Sequence, residues 1–450
     1  MTNHLYLRIL YITLLCFLLN LSSLGEEKGT LRSGPMVGYS EMTEVMLWVQ
    51  MTGPAELQYR FWEAGNPQSA RTTESQRVTR NSDFIAHTRI SGLKEGQHFE
   101  YELMLDGRVV ARPYPLRFQT QQLWQWRKDP PSFSVALGSC AYINDPPDDR
   151  PGTPYGSDYE IFTAIAEKSP DLMLWLGDNT YYREIDYTSV DRMKYRNGHT
   201  RALPEMQPLL GAAHNYAIWD DHDFGPDNSD RTFSLREDAL DIFKLFWANH
   251  TYGTAEVSGI FGRFLWADVE FFLLDDRYHR SPNEMPKDDS KAMFGNDQFA
   301  WLKESLSQSK APFKIIVNGN QILAPASKHE ALCNYPGEYH GLIRWIKDQK
   351  IEGIVCISGD IHSTQLTTLR DSLFYPLYDL TSSSLTAGIY RIEGTPPSFY
   401  DETKSVFEHN FALLKFDGPR TDRRLVMECY DKKGKVLWSQ EIQARDLKVK

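Results

Sequence analysis

Three apolar segments of this chain each stop abruptly at acidic residues, and this repeated pattern strongly limits the fold. They end in Gly177-Asp178, in Trp219-Asp220-Asp221-His222 and in Gly359-Asp360. From Pro131 onward such short buried strands alternate with helical stretches, which is typical of α/β architecture. Ligands of open α/β sheets bind beyond the carboxyl ends of the strands, so the three endings are predicted to converge on one pocket.

A fourth apolar run ends in Gly138-Ser139-Cys140 and adds a thiol to this pocket. The predicted pocket residues are Cys140, Asp178, Tyr181, Asp220 or Asp221, His222, Asp360 and His362. Carboxylate and phenolate oxygens suit hard cations, whereas thiolate and imidazole suit a softer transition ion, so the mixed set indicates two different metals. Taken singly, each Gly-Asp is more typical of a turn and Cys140 of a buried apolar residue. The agreement of all four endings favours metal chemistry.

The order of these motifs resembles a known family. Gly-Ser-Cys, Gly-Asp-x-x-Tyr, Trp-Asp-Asp-His-acid and Gly-Asp-x-His are similar to the motifs of the alkaline phosphatase D (PhoD) group of calcineurin-like metallophosphoesterases. Residues 274–280, which include Arg277, and the Gln-x-x-Trp segment within residues 295–302 extend the resemblance. It covers the chain from about Gly34 to Phe416.

This resemblance implies a ligand set. Iron (Fe³⁺) would be held by the residues at four positions: Cys140, Asp178, Tyr181 and His362. Calcium (Ca²⁺) would lie beside it on the bridging Asp178 with Asp221 and Asp360. The residues themselves do not decide whether Asp220 or Asp221 is the metal ligand, and the wider superfamily's motif favours Asp221. A pair of Zn²⁺ or Mn²⁺ ions is the alternative.

The resemblance also implies that a metal-bound hydroxide hydrolyses phosphate esters, both diesters and some monoesters. His222 would then donate a hydrogen bond or a proton. Arg277 is predicted to clamp the phosphate, with an ion pair to Asp275 or Asp276 as the alternative. Asn179 stands where the family often has an aromatic residue, and it is predicted to add a metal ligand or a hydrogen bond to substrate.

The length of 450 residues predicts at least two domains. Residues 30–120 contain short alternating strands and are predicted to form a fibronectin-like all-β sandwich. Residues 131–450 are predicted to form the catalytic domain with antiparallel C-terminal strands. With the family resemblance, this implies a four-layer αββα metallophosphoesterase sandwich.

Residues 1–25 have one cation and an apolar run, which is typical of a secretory signal peptide. We therefore expect a periplasmic or secreted protein, cleaved near Gly25, with no stable membrane span. Four cysteines remain, too few for a disulfide scaffold, although pairing of Cys333 with Cys429 stays open.

The net charge of −11 disfavours a nucleic-acid-binding surface and favours small phosphoesters as substrates. Two other functions remain open: a phosphomonoesterase with a different metal pair, and a non-catalytic module that binds phosphorylated glycans or lipids. Two further features have two possible roles each: they could contribute to the pocket, or they could simply face solvent. They are the loop of residues 142–156 and the arginines at 183, 192 and 196.

Overall fold

The computed structural model describes residues 28–327, 329–391 and 400–449. The predicted signal peptide, residues 1–25, therefore lies outside the described residues. Among the helices of the described ranges, none combines the length and the apolar character that crossing a membrane requires.

The strands of the described residues form three sheets. The N-terminal strands are β1 (Leu31–Ser40), β2 (Glu44–Met51), β3 (Ala55–Glu63), β4 (Arg71–Thr72), β5 (Gln76–Val78), β6 (Ile85–Ser91), β7 (His98–Leu105), β8 (Arg108–Val109) and β9 (Arg117–Gln119). Those that follow are β10 (Phe133–Gly138), β11 (Leu172–Leu176), β12 (His214–Ile218), β13 (Gly262–Trp266), β14 (Val269–Leu273), β15 (Phe313–Val317), β16 (Ile354–Ser358), β17 (Gln365–Asp371), β18 (Phe374–Thr381), β19 (Asn410–Asp417), β20 (Arg424–Asp431) and β21 (Val436–Gln443).

The N-terminal strands are divided between two sheets. Strands β1, β2 and β6 extend a nine-stranded sheet in the order β21-β20-β19-β10-β11-β12-β1-β2-β6, while β3, β4, β7 and β8 belong to a separate six-stranded sheet with β5 and β9 attached. Strand β1 joins them to the rest because Val37 pairs with His214 of β12 in parallel. Strand β1 was not among the strands predicted from the sequence. It contains Pro35, and the register shifts between Ser33 and Met36, where this proline lies.

Two central sheets face each other in the remainder of the chain. Strands β10, β11 and β12 are parallel neighbours in the nine-stranded sheet, and the opposite sheet has the order β13-β14-β15-β16-β18-β17. Phe416 stacks on Phe133 of its own sheet, with ring centroids 4.8 Å apart. It also contacts Phe313 of the other sheet at 5.6 Å. The fold is therefore mixed α/β with multiple sheets.

The helices of the described residues lie in the connections of these sheets. They are α1 (Glu160–Glu167), α2 (Val190–Arg201), α3 (Gln207–Leu210), α4 (Asp221–Phe224), α5 (Arg236–Phe246), α6 (Gly295–Gln308) and α7 (Pro336–Asp348). The sequence predicts Asn296 as the N-cap of a helix over residues 297–309, but α6 begins two residues earlier, at Gly295, and Phe294 occupies the cap position without a side-chain hydrogen bond. The carboxylate of Glu338 accepts the N–H groups of Met293 and Gly295, so a distant side chain replaces the local cap.

The C-terminal strands β19, β20 and β21 pair antiparallel, as the sequence predicted. Cys140, Cys333, Cys356 and Cys429 are all free thiols. The Sγ atom of Cys429 lies 3.7 Å from Asn410 Oδ1, and no disulfide joins it to Cys333.

Candidate metal centre

The ends of β10, β11, β12 and β16 meet at one cavity of about 1070 Å³. Three of these strands belong to the nine-stranded sheet and β16 to the facing sheet, so the site lies where the two sheets meet. The predicted residues that line this cavity are Asp178, Tyr181, Asp221, His222, Asp360 and His362. Cys140 is fully buried directly behind them.

The backbone turns sharply at four of the predicted ligands. Their φ angles are 59° at Cys140, 53° at Asp178, 71° at Asp360 and 53° at His362. Positive φ is uncommon for residues other than glycine, and it is concentrated at functional sites where the surrounding fold holds it. These turns aim the side chains that follow each strand into a single space.

The glycine before each aspartate has a packing reason. A Cβ atom on Gly177 would lie 2.7 Å from Asp220 Cβ, and one on Gly359 would lie 2.7 Å from Ser139 Cβ. Each glycine therefore lets one strand end approach another closely. In each Gly-Asp motif the glycine is therefore needed for the strand ends to approach one another, in addition to its role in the turn.

The first group of ligand atoms surrounds one oxygen of Asp178. Asp178 Oδ2 lies 3.6 Å from Cys140 Sγ and 3.0 Å from the hydroxyl of Tyr181. Tyr181 Oη is also 3.4 Å from His362 Nε2. Ligand atoms of Cys140, Asp178 and His362 all lie within 4.8 Å of one another.

A second group shares Asp178 with the first. Ligand atoms of Asp178, Asp221 and His222 also lie within 4.8 Å of one another. The N–H of His222 donates to Asp178 Oδ1 at 3.3 Å and to Asp221 Oδ1 at 2.8 Å. The N–H of Asn228 donates to Asp221 Oδ2 at 2.6 Å. Asp360 lines the cavity but belongs to neither group.

The two histidines are oriented by oxygen atoms. His362 Nδ1 contacts the carbonyl of Gly388. Since a carbonyl only accepts, the proton of a neutral His362 is on Nδ1 and the lone pair of Nε2 faces Tyr181. His222 Nε2 lies 3.6 Å from Asp227 Oδ1, and its ring centroid is 4.2 Å from that of Tyr181.

Several buried acidic groups lie close together in this site, and a bound cation would neutralise their charge. Burial and the neighbouring Asp221 raise the pKa of Asp178 well above its usual value. Burial raises the pKa of the Cys140 thiol to about 11, and burial with the nearby Glu330 raises the pKa of Asp360 to about 7. Burial lowers the pKa of His362, which keeps its ring neutral. Bound cations reverse such shifts, so these donors fit metal ions.

We name six of these residues the acidic cluster. It consists of Cys140, Asp178, Tyr181, Asp221, Asp360 and His362.

Asn179 offers one further oxygen beside this cluster. Its Nδ2 donates to the carbonyl of Ile218 at 2.8 Å, which fixes the orientation of the amide. Its Oδ1 is buried and has no hydrogen-bond partner. Asn179 is not among the residues that line the cavity. A role as ligand or as hydrogen-bond partner of substrate therefore stays a prediction.

Arg277 requires a correction. Its side chain is fully buried and does not line the cavity, so it cannot clamp a phosphate there. Arg277 Nε donates to Asp220 Oδ1 at 2.6 Å and Nη2 to Glu330 Oε2 at 2.6 Å. The alternative of an ion pair is correct, but the main partners are these distant acids, and Asp276 Oδ1 is farther away at 3.7 Å.

The same contacts distinguish the two neighbouring aspartates. Asp220 points at Arg277 and also accepts from Asn320 Nδ2 at 3.1 Å. Asp221 faces the cavity instead. Asp223 ties the two motifs together, because its Oδ1 accepts the N–H of Thr180 at 2.9 Å and its Oδ2 accepts the N–H of Asp220 at 3.1 Å.

The loop of residues 142–156 borders the cavity and is held by buried ion pairs. Arg183 pairs with Asp149 at 2.7 Å, and Arg196 pairs with Asp145 and Asp186, each at 2.7 Å. We name these ion pairs the arginine network. Its members are Arg183, Arg192, Arg196, Asp145, Asp148, Asp149 and Asp186. The three arginines thus hold the loop against helix α2.

Sequence reasoning missed several cavity residues. Asp227 beside His222, Glu330 beside Arg277, and the two tyrosines Tyr155 and Tyr390 all line the cavity. None follows a strand directly in the sequence, so the pattern that found the other residues could not find these.

Comparison with known proteins agrees with this geometry. The profile of the family described as PhoD-like phosphatase matches residues 136–416, and that of a domain of unknown function (DUF7800) matches residues 28–123. The chain belongs to the PhoD-like phosphatase family. The resemblance predicted from the motifs is thereby confirmed.

Individual relatives of this PhoD-like chain are distant. Alkaline phosphatase D of Bacillus subtilis (strain 168) is 22% identical in an alignment of 262 residues, with coverage of 47% of this chain and 44% of that relative. The chain therefore spans less than half the length of this relative.

Two solved structures share the fold. One described as the structure of PhoD superposes with a TM-score of 0.72 at 14% identity, covering 91% of each chain. Purple acid phosphatase PPD1 from yellow lupin (Lupinus luteus) seeds gives a TM-score of 0.64 at 10% identity, covering 92% of this chain and 76% of that chain.

Proposed function

We propose that this PhoD-like protein hydrolyses phosphate esters at a pair of metal ions bridged by Asp178. The observation that carries the proposal is the overlap of two ligand groups at this carboxylate. Its Oδ2 faces Cys140 and Tyr181, while its Oδ1 faces the N–H of His222. Family membership supports a phosphatase, and the overlapping groups support a dinuclear centre.

The donor types support an assignment of the two ions. Cys140, Asp178, Tyr181 and His362 would hold Fe³⁺, because thiolate and phenolate bind a trivalent ion in their deprotonated forms. Asp178, Asp221 and Asp360 would hold Ca²⁺, which prefers carboxylate oxygens. When bound, such a pair lowers the pKa of water and neutralises phosphoryl oxygens. Elemental analysis of the purified protein would distinguish it from Zn²⁺ or Mn²⁺.

The side chains that face the cavity would do the remaining work. His222 is partly exposed there, and Asp227 Oδ1 lies 3.6 Å from its Nε2. A protonated His222 would donate to a phosphoryl oxygen or to the departing alkoxide. The N–H of Asn228 holds Asp221 in one orientation. Substrates would be small phosphoesters, since the acids of the site repel longer polyanions wherever metal ions do not neutralise them.

The N-terminal strands have a supporting role in this proposal. We infer a fibronectin-like module whose strand β1 continues the sheet that carries three of the four site strands. The catalytic part would be a four-layer αββα sandwich. In this arrangement the module is a scaffold for β12, the strand that precedes Asp220 and Asp221.

The test is hydrolysis of bis-p-nitrophenyl phosphate and p-nitrophenyl phosphate by the protein loaded with iron and calcium. We expect turnover that falls at least about a thousandfold in Asp178→Asn, because the bridge is lost. Asp289→Asn is the matched control, since Asp289 is exposed and does not line the cavity. The faster of the two esters decides between diesterase and monoesterase. Cleavage of neither, with metal bound, would favour the non-catalytic binding module.

A further inference from the structure

Two exposed tyrosines stand out on the wall of the cavity. Nine large hydrophobic side chains are exposed in the described part of the chain, and of these Tyr155 and Tyr390 line the cavity. Tyr155 is 38% exposed and Tyr390 is 52% exposed. The other seven lie elsewhere on the surface. An aromatic pair is thus open to whatever the cavity binds.

Contacts with neighbouring rings fix the position of this pair. The hydroxyl of Tyr390 donates to the hydroxyl of Tyr155 at 3.1 Å. The Tyr155 ring makes an edge contact with Tyr142, with centroids 4.9 Å apart. The centroid of His362 is 6.3 Å from that of Tyr155 and 5.0 Å from that of Tyr390. Both tyrosines therefore adjoin a member of the acidic cluster.

The backbone beside Tyr390 is tied to the same place. The carbonyl of Gly388 accepts from His362 Nδ1. A Cβ atom on Gly388 would lie 2.9 Å from Tyr155 Cε2, so only glycine allows this tyrosine to pack so closely. The segment that orients His362 therefore also packs against Tyr155, so this wall of the cavity is connected to the candidate metal centre.

We propose that Tyr155 and Tyr390 form an aromatic subsite that binds a flat aromatic ring attached to the phosphoryl group of the substrate. This inference rests on the proposed function. A phosphoryl group at the acidic cluster places its nearest substituent against these rings, because both adjoin His362. Aromatic rings stack on or meet each other edge to face with favourable quadrupole contacts, which a saturated ring of similar size lacks.

The subsite predicts selectivity for aryl phosphoesters over alkyl phosphoesters. Phosphonates test this without bond cleavage, so the acidity of a leaving group has no influence. We would measure binding of phenylphosphonate, cyclohexylphosphonate, methylphosphonate and inorganic phosphate to the metal-loaded protein by calorimetry. Phenylphosphonate should bind about tenfold more tightly than methylphosphonate and several-fold more tightly than cyclohexylphosphonate.

Variants assign the selectivity to the two tyrosines. Tyr390→Ala should bring phenylphosphonate to within about twofold of methylphosphonate while the affinity for inorganic phosphate stays unchanged. Tyr390→Phe keeps the ring and should keep the selectivity. Tyr155→Ala should reduce the selectivity in the same way as Tyr390→Ala, and Tyr155→Phe, which keeps the ring, should retain it. Trp126→Ala is the control, since Trp126 is 92% exposed and lies outside the cavity.

Three results would overturn the inference. Equal affinity for the phenyl and methyl ligands in the wild type removes the subsite. Equal affinity for the phenyl and cyclohexyl ligands would mean that the subsite binds apolar groups in general and does not select aromatic rings. A parallel loss of phosphate binding in Tyr390→Ala makes the tyrosine a structural support. Failure of the wild type to bind inorganic phosphate would instead overturn the proposed function, and this inference with it.

Discussion

The acidic cluster and the arginine network are both rich in buried aspartates, but only the network pairs its charges within the protein. Arg196 is fully buried and meets Asp145 and Asp186, each at 2.7 Å. In the cluster, Asp178 is surrounded by further acids, and burial and these neighbours raise its pKa well above its usual value. The difference indicates that the network stabilises the fold through internal ion pairs, whereas the cluster has the excess of buried acids that suits cation binding.

Arg277 provides a second contrast between paired and unpaired acids, this time at the metal centre itself. It pairs with Asp220, which does not line the cavity, and with Glu330, which does, so the charges of both acids are already compensated by a protein cation. Asp178, Asp221 and Asp360, in front of it, line the cavity. A buried acid with a protein cation is therefore a poor metal ligand, and this contrast favours Asp221 over Asp220.

Neutralising an acid of the network should have the largest effect on stability. Asp186→Asn leaves the buried Arg196 partly uncompensated, and we expect a loss of about 3–5 kcal/mol in the free energy of unfolding. Glu184→Gln is the matched control, because the Glu184 side chain is 63% exposed and its pair with Arg150 is worth less than about 1 kcal/mol. Urea unfolding measures both. Equal small losses would contradict the structural role of the network.

A buried neutral histidine gives the next largest effect. His214 Nδ1 donates to the carbonyl of Gly38, and Nε2 accepts the N–H of Gln119. Burial lowers its pKa to about 4, from about 6.5 in the unfolded chain. The unfolded chain therefore takes up the proton first, so stability is full above pH 6.5 and falls as the pH drops toward 4.

The expected loss over this range is about 3 kcal/mol. In His214→Gln the dependence on pH should weaken by that amount, whatever the stability of the variant itself. His340→Gln, at an exposed position, should leave the dependence unchanged. Urea midpoints measured between pH 7 and pH 4 give the result. An identical slope in the wild type and His214→Gln would contradict the role of His214 at the junction between β1 and β12.

Removal of metal should destabilise the wild type by about 2–3 kcal/mol when the free ions exceed their Kd about a hundredfold. Asp178→Asn should lose less, because its site binds the ions weakly from the start. Thermal unfolding with and without a chelator measures this difference. A chelator effect of the same size in both proteins would mean that the ions stabilise the fold somewhere other than at Asp178.

The smallest effect should have the opposite sign to that in the network. Without metal, Asp178→Asn removes one of several repelling carboxylates, and we expect a gain of up to about 1 kcal/mol in the free energy of unfolding. The same type of change at Asp186 should cause a loss. Urea unfolding of the two metal-free variants compares them directly. A loss of similar size at both positions would end the distinction between the two regions.

Much of the site could be predicted because its signals are local. A buried strand that stops abruptly at polar residues is visible within a few residues, and four such endings, two of them Gly-Asp, predicted Cys140, Asp178, Asp220 or Asp221, and Asp360. Strand β1 was not predicted, and it contains Pro35, a residue that is uncommon inside strands. Arg277 was placed wrongly because its partners, Asp220 and Glu330, lie more than fifty residues away in the sequence.

The sequence by itself thus determined the chemistry of the donors and the strands that present them, since apolar runs and clusters of like charge are short-range patterns. Only the tertiary structure decided which acids are paired and which are free, because ion pairs form between segments that are distant in the chain. It also decided the backbone turns at Cys140 and His362 and the positions of Tyr155 and Tyr390. These depend on the close approach of strand ends from two facing sheets.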